Sequence, residues 1–155
     1  MVTRTLPVAT TALLLVLCVA ETGRVSRALA DKPASPIVLN ADGAWCWFQD
    51  ERVLVQGSTL LVGSVANGSQ DPARSGDVDV VAYDFASGRL TRSELHDQLE
   101  PDDHAAPALW LRPDDRLLAV YSKHGSENCF YSRLTRSPGD FTDWLPESNY
   151  IPSDR

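Results

Sequence analysis

Residues 59–67, TLLVGSVAN, align without a gap with residues 116–124, RLLAVYSKH, fifty-seven positions later. Each segment is the second of two apolar runs that flank a turn. The first pair lies in RVLVQGSTLLVGSVAN, turning at Gly57-Ser58, and the other in PALWLRPDDRLLAVYSKH, turning at Pro113-Asp114-Asp115. Between them, DVDVVAYDFASGRLTRSELH turns at Ala86-Ser87-Gly88, and NCFYSRLTRSPGDFTDW begins a further pair near Pro138-Gly139. Short alternating runs separated by Gly, Pro, Asp and Ser are strand and hairpin signals. No stretch after the N-terminal segment keeps a helical period. A repeat of roughly fifty residues that holds four short strands is the pattern of a β-propeller blade.

The reading is therefore all-β: a β-propeller fragment of about two four-stranded antiparallel blades. Residues 52–96 make one blade, and residues 106 to the end make most of another with a poor fourth strand. Two blades alone leave open sheet edges and a half-covered core. The expectation is the front part of a longer protein, residues 42–155 being its N-terminal portion. A small sandwich would still leave one face uncovered.

Residues 1–30 read as a secretory signal peptide, with Arg4, an apolar core from Thr11 to Ala20, and small residues after it. Cleavage is expected after Ala20 or Ala30; an uncut membrane anchor is the alternative. Leu17 before Cys18 argues against lipidation. Residues 31–41 form a linker. The expected location is secreted or periplasmic, with no membrane association once the signal is removed.

With a net charge of −7, the chain lacks the excess of Lys and Arg that general nucleic-acid binding requires. Any anionic ligand needs local cations. Cys46 and Cys129 fit either a disulfide or two separate thiols, and neither has the spacing of a zinc cluster. No cofactor is expected among these residues.

His104 and His124 stand at the two ends of the third hairpin. A turn centred on Asp114 pairs residues whose numbers add to 228: Trp110 with Leu118, Ala106 with Ser122, and His104 with His124. Both histidines then lie at one rim of the sheet, a conclusion that survives a slip of one or two residues. Asp102-Asp103 precedes His104 and is placed to orient its ring. Gly125 after His124 permits close approach of another group. Tyr121 could supply a phenol nearby. A solvated pair with no role is the plain alternative.

A second cluster is AWCWFQDERV, where Trp45, Cys46, Trp47 and Phe48 are either core filler or a sugar-stacking surface. Arg52, beside Gln49, has the geometry to clamp a carboxylate or to make a surface ion pair. Asn67 occupies the position that matches His124 in the first hairpin. His96 has no specific reading.

Taken together, AWCWFQDERVLVQGSTLLVGSV, GDVDVVAYDFASGRL, LHDQLEPDDHAAPAL, DDRLLAVYSKHG and SPGDFTDW resemble the N-terminal part of the BNR-repeat-containing family, which includes seven-bladed ulvan lyases. The resemblance covers roughly residues 42–145. It implies a secreted polysaccharide lyase that acts on an acidic, uronic-acid-containing polysaccharide by β-elimination. His104 and His124 fall on the catalytic histidines, with Arg52, Gln49, Asn67 and Tyr121 as candidates for binding substrate. A tyrosine and arginines that complete such a site, and a metal found in some relatives, fall beyond Arg155. The alternatives are a sialidase-like glycoside hydrolase and a non-catalytic carbohydrate-binding propeller.

Overall fold

The computed structural model describes residues 35–44, Cys46 and 51–153. The segment expected to be a signal peptide, Gln49 and most of the aromatic run before it lie outside the described residues. The elements that follow belong to the unit that begins at Pro36.

Among the described residues, nine strands form two antiparallel sheets. The first contains β1 (Gly43–Ala44), β2 (Val53–Gln56), β3 (Thr59–Ala66), β4 (Val78–Asp84) and β5 (Leu90–His96). β1 and β2 lie on the same side of β3, one pairing with each half of it, so one edge strand of this sheet is split in two. The second sheet contains β6 (Ala108–Leu111), β7 (Leu117–Tyr121), β8 (Phe130–Leu134) and β9 (Ser148–Tyr150), paired in chain order. Each sheet is thus a four-stranded meander, with no α-helix among the described residues. Two short 3-10 turns, at Pro72–Arg74 and Asp103–Ala105, interrupt the connections.

The turns fall where their residues demand. Gly57 takes φ +57° between β2 and β3, a conformation that costs a glycine little. Asp115 adopts φ 57° at the end of the Pro113-Asp114-Asp115 turn, and asparagine and aspartate tolerate that region better than most residues. The β6–β7 register follows from it: Ala108 pairs with Val120 and Leu111 with Leu117, numbers that add to 228 as the turn requires.

The sheets stack face to face over one core. Leu61, Val65 and Val80 from the first meet Leu109, Leu117 and Ala119 from the second, all nearly inaccessible to water. Burying a side chain of this size contributes roughly 1.5–3 kcal/mol. Phe141 and Trp144, from the long β8–β9 connection, close one end of that core. Thr135 is buried there and its hydroxyl accepts the N–H of Leu117 at 2.9 Å, which satisfies a backbone donor beyond the end of β8.

The repeat determines which way each sheet faces. Leu61 is buried against the second sheet, whereas Leu118, its counterpart, lies on the outer face of the second sheet. The same outward face carries Trp110, Val120, Phe130 and Tyr150, all exposed. Equivalent positions thus point in the same direction along the stack, as they do when like sheets are laid one on the next.

Candidate functional site

The site begins with a close approach between the sheets. A Cβ on Gly63 of β3 would lie 2.7 Å from the carbonyl oxygen of Pro107, so only glycine lets the chain entering β6 lie this near. Just before Pro107, the 3-10 turn Asp103–Ala105 is anchored from beneath by buried Ala105 and Ala106. Asp102 caps it: one carboxylate oxygen, Oδ1, accepts the backbone N–H of His104 at 2.9 Å. The side chain of His104 is held between the cap and the core, about a quarter exposed.

His124 arrives from the other arm. It follows β7, and its backbone N–H donates to Glu100, which also accepts the Ser126 hydroxyl at 3.1 Å. Glu100 therefore ties the loop after β7 to the segment before the turn. Gly125, at φ +81°, reverses the chain immediately afterwards.

The two imidazoles stack with their centroids 3.9 Å apart and their planes within 19°. Asp102 joins them: His104 Nδ1 lies 2.8 Å from Oδ1, and His124 Nδ1 lies 3.1 Å from Oδ2. Asp103 adds a second carboxylate 3.0 Å from His104 Nδ1. The backbone N–H of His104, helped by both rings and opposed by partial burial, holds the Asp102 carboxyl down at about 2. As an ionised carboxylate, Asp102 only accepts hydrogen bonds. Both Nδ1 atoms therefore carry a hydrogen toward it, and the chemistry of each ring is directed to Nε2.

The route by which the rings meet differs from the sequence expectation in one respect. The β6–β7 ladder ends at Ala108 and Val120, so His104 and His124 are not a cross-strand pair. Pro107 and the 3-10 turn take the first arm out of the ladder, and the rings meet as side chains of two loops at the same end of the sheet. The side chain of His124 is 55% exposed, which leaves the pair open to a ligand.

The other predicted residues that the structure describes have partners of their own. Arg52 is buried at 7% relative exposure, and its carbonyl accepts the N–H of Gly63 at 2.8 Å. Asn67 accepts the Ser69 N–H at 2.8 Å and so shapes the loop after β3. Tyr121 points into the core, donating its hydroxyl to Glu147 at 2.7 Å. Cys46 and Cys129 are free thiols.

A cluster that the sequence did not signal lies between β5 and the second sheet. His96 Nδ1 is 2.7 Å from Glu147, the carboxylate that Tyr121 also meets. The His96 ring packs edge-on against Tyr131 at 4.9 Å, and Tyr131 donates to Glu127 at 2.7 Å. Glu127 in turn pairs with Lys123, next to His124. His96 and Glu147 are fifty-one residues apart, with no local motif to connect them. Glu100 and the second role of Asp102 were also missed; the acidic run LEPDDH ahead of His104 was the available signal.

No protein-family model matches the sequence, and no curated protein does. The fold matches solved structures of an ulvan lyase described as representing a new family of polysaccharide lyase, PL25. One is similar at 13% identity with a TM-score of 0.51, covering 68% of this chain and 28% of the other. A second, bound to -[GlcA(1-4)Rha3S]-, is similar at 12% identity with a TM-score of 0.52, covering 67% and 27%. At that identity the likeness is one of fold: the two sheets are stacked as blades of a β-propeller. The chain spans a little over a quarter of the length of either lyase.

Proposed function

We propose that this chain carries part of the site of a lyase that cleaves a uronic-acid-containing polysaccharide by β-elimination. The observation that supports the reading is the stacked, partly open pair His104 and His124 with Asp102 behind it. The likeness of fold to a lyase seen with a glucuronate–rhamnose sulfate oligomer suggests the substrate class.

Elimination removes the C5 proton of a uronate. The electron pair forms the C4–C5 double bond, and the glycosidic oxygen at C4 departs and takes up a proton. The C5 proton is weakly acidic until the adjacent carboxylate is neutralised by a hydrogen-bond donor or a positive charge. His104, the more enclosed ring with its Nδ1 hydrogen committed to Asp102, is assigned to take the proton at Nε2. His124, the more exposed ring, is assigned to the substrate carboxylate. A positioned acid or base of this kind is worth roughly 10²–10⁴ in rate.

A sialidase-like hydrolase would need an accessible tyrosine backed by a carboxylate. Tyr121 has the carboxylate but is only 3% exposed. The discriminating experiment is incubation of the full natural protein with a uronic-acid polysaccharide while following the ultraviolet absorbance of the unsaturated uronate. The expected result is absorbance that grows with cleavage and falls about 100-fold or more in His104→Ala. New reducing ends without absorbance would instead identify a hydrolase, and saturable binding with no product a carbohydrate-binding protein. The export and extracellular action that fit a polysaccharide substrate belong to the same proposal.

A further inference from the structure

We propose that Asp102, His104 and His124 form a binding site for one divalent first-row transition cation, and that the cation and the base function of His104 exclude one another. The binding half of the proposal needs nothing from the lyase reading; the exclusion rests on it.

The donor atoms of these three residues lie within 4.8 Å of one another. Nδ1 of each ring already faces Asp102, against a different carboxylate oxygen at 2.8 and 3.1 Å, and a turn of the stacked rings brings both nitrogens onto one ion. A cation at the centre takes the place of the two hydrogens that now lie between Asp102 and the rings. Two imidazoles and a carboxylate, with ligand distances of roughly 2.0–2.2 Å, are a donor set that zinc and its neighbours accept, and three protein ligands leave a position open for water. The surroundings favour a cation, since Asp103 lies 3.0 Å from His104 Nδ1 and Glu100 binds the backbone of His124. Asp103 faces the same nitrogen and adds negative charge beside the ion.

His104 has two possible arrangements, and they determine the chemistry. With Nδ1–H donated to Asp102, Nε2 holds a lone pair and can accept a proton. With Nδ1 bound to a cation, Nε2 carries the hydrogen and the ring has no base to offer. Occupancy therefore silences His104.

Cys46, Asp103 and His104 form a second set of donors within the same 4.8 Å limit, sharing His104. The experiment separates the two. Untagged chain is titrated with Zn²⁺ by calorimetry and with Co²⁺ by visible absorption, with no polysaccharide present. The expected result is one equivalent bound, with affinity at least tenfold lower in His104→Ala, His124→Ala and Asp102→Asn, and unchanged in His96→Ala and Cys46→Ala. His124 is exposed enough that its removal leaves the fold intact, which circular dichroism verifies. No binding, or binding indifferent to His124 and Asp102, would overturn the site. An intense near-ultraviolet thiolate–cobalt band that disappears in Cys46→Ala would also overturn it, by placing the ion on the other set. In the full natural protein, elimination is expected to stop on addition of one equivalent of Zn²⁺ and to return with a chelator. If the chain binds Zn²⁺ but the protein produces no unsaturated uronate, the lyase reading fails and the cation site stands. If elimination proceeds unchanged with Zn²⁺ bound, the exclusion fails.

Discussion

Asp102 and His104 are joined twice, once through the backbone N–H at 2.9 Å and once through Nδ1 at 2.8 Å, both to the same carboxylate oxygen. Capping the turn and orienting the ring are therefore two tasks of one side chain. Substitution separates them. Asp102→Asn keeps a capping oxygen and removes the charge; it is expected to leave thermal stability nearly unchanged and to lower the elimination rate about 10-fold or more. Asp102→Ala loses both roles and is expected to cost about 1 kcal/mol in addition. Thermal melts beside rate measurements check the separation.

Gly63 sets how near the two sheets come at this rim. An added Cβ would meet the Pro107 carbonyl at 2.7 Å and its Cγ at 2.9 Å. Backbone cannot yield as a flexible side chain does. Gly63→Ala is expected to destabilise by about 1–3 kcal/mol and to shift the ring resonances of His104, which sits three residues before Pro107. A chemical denaturation curve and a histidine ring spectrum measure the two effects.

Tyr121 and Tyr131 resist ionisation for different reasons. Burial is the larger cause for Tyr121, with Glu147 second; for Tyr131 the hydrogen bond to Glu127 leads. Both are held above the ordinary tyrosine value of 10.0. A group whose pKa is raised on folding stabilises fully below its unfolded value, and that contribution is lost as pH rises beyond it. Stability is therefore expected to hold up to about pH 10 and to fall above it. In Tyr121→Phe, which forfeits about 1 kcal/mol of hydrogen bonding, the alkaline fall should be shallower. Denaturation at stepped pH values provides the check.

Asp84 shows the opposite sign. The hydroxyls of Ser87, in the β4–β5 turn, and Ser58, in the β2–β3 turn, donate to it and hold it at about 2. Its contribution is present above the ordinary carboxylate value and disappears as pH falls through about 2. A carboxyl titration by NMR is expected to show Asp84 still ionised at pH 3, and removal of Ser87 should move the midpoint upward.

The strand pairs were legible because turn chemistry fixes register. Once Pro113-Asp114-Asp115 is a turn, Trp110 must face Leu118, and it does. The split edge strand was not legible, because Gly43–Ala44 is too short to carry a period and pairs only through β3. The histidines were brought to one rim by the hairpin itself, whereas their stacking depends on a 3-10 turn that period-two counting does not see. Tyr121 looked like an available phenol, since alternation alone left open whether its face met the core or a groove; it meets the core. His96 and Glu147 are neighbours only because the two sheets stack, and nothing local in either stretch records that.

The most direct measurement of the account is a ring-nitrogen NMR titration of the chain with a glucuronate–rhamnose sulfate oligosaccharide. The prediction is that the resonances of His104 and His124 move together and saturate at a common ligand concentration while those of His96 stay in place. Movement of His96 alone, or no movement of the stacked pair at concentrations where the oligosaccharide binds, would contradict it.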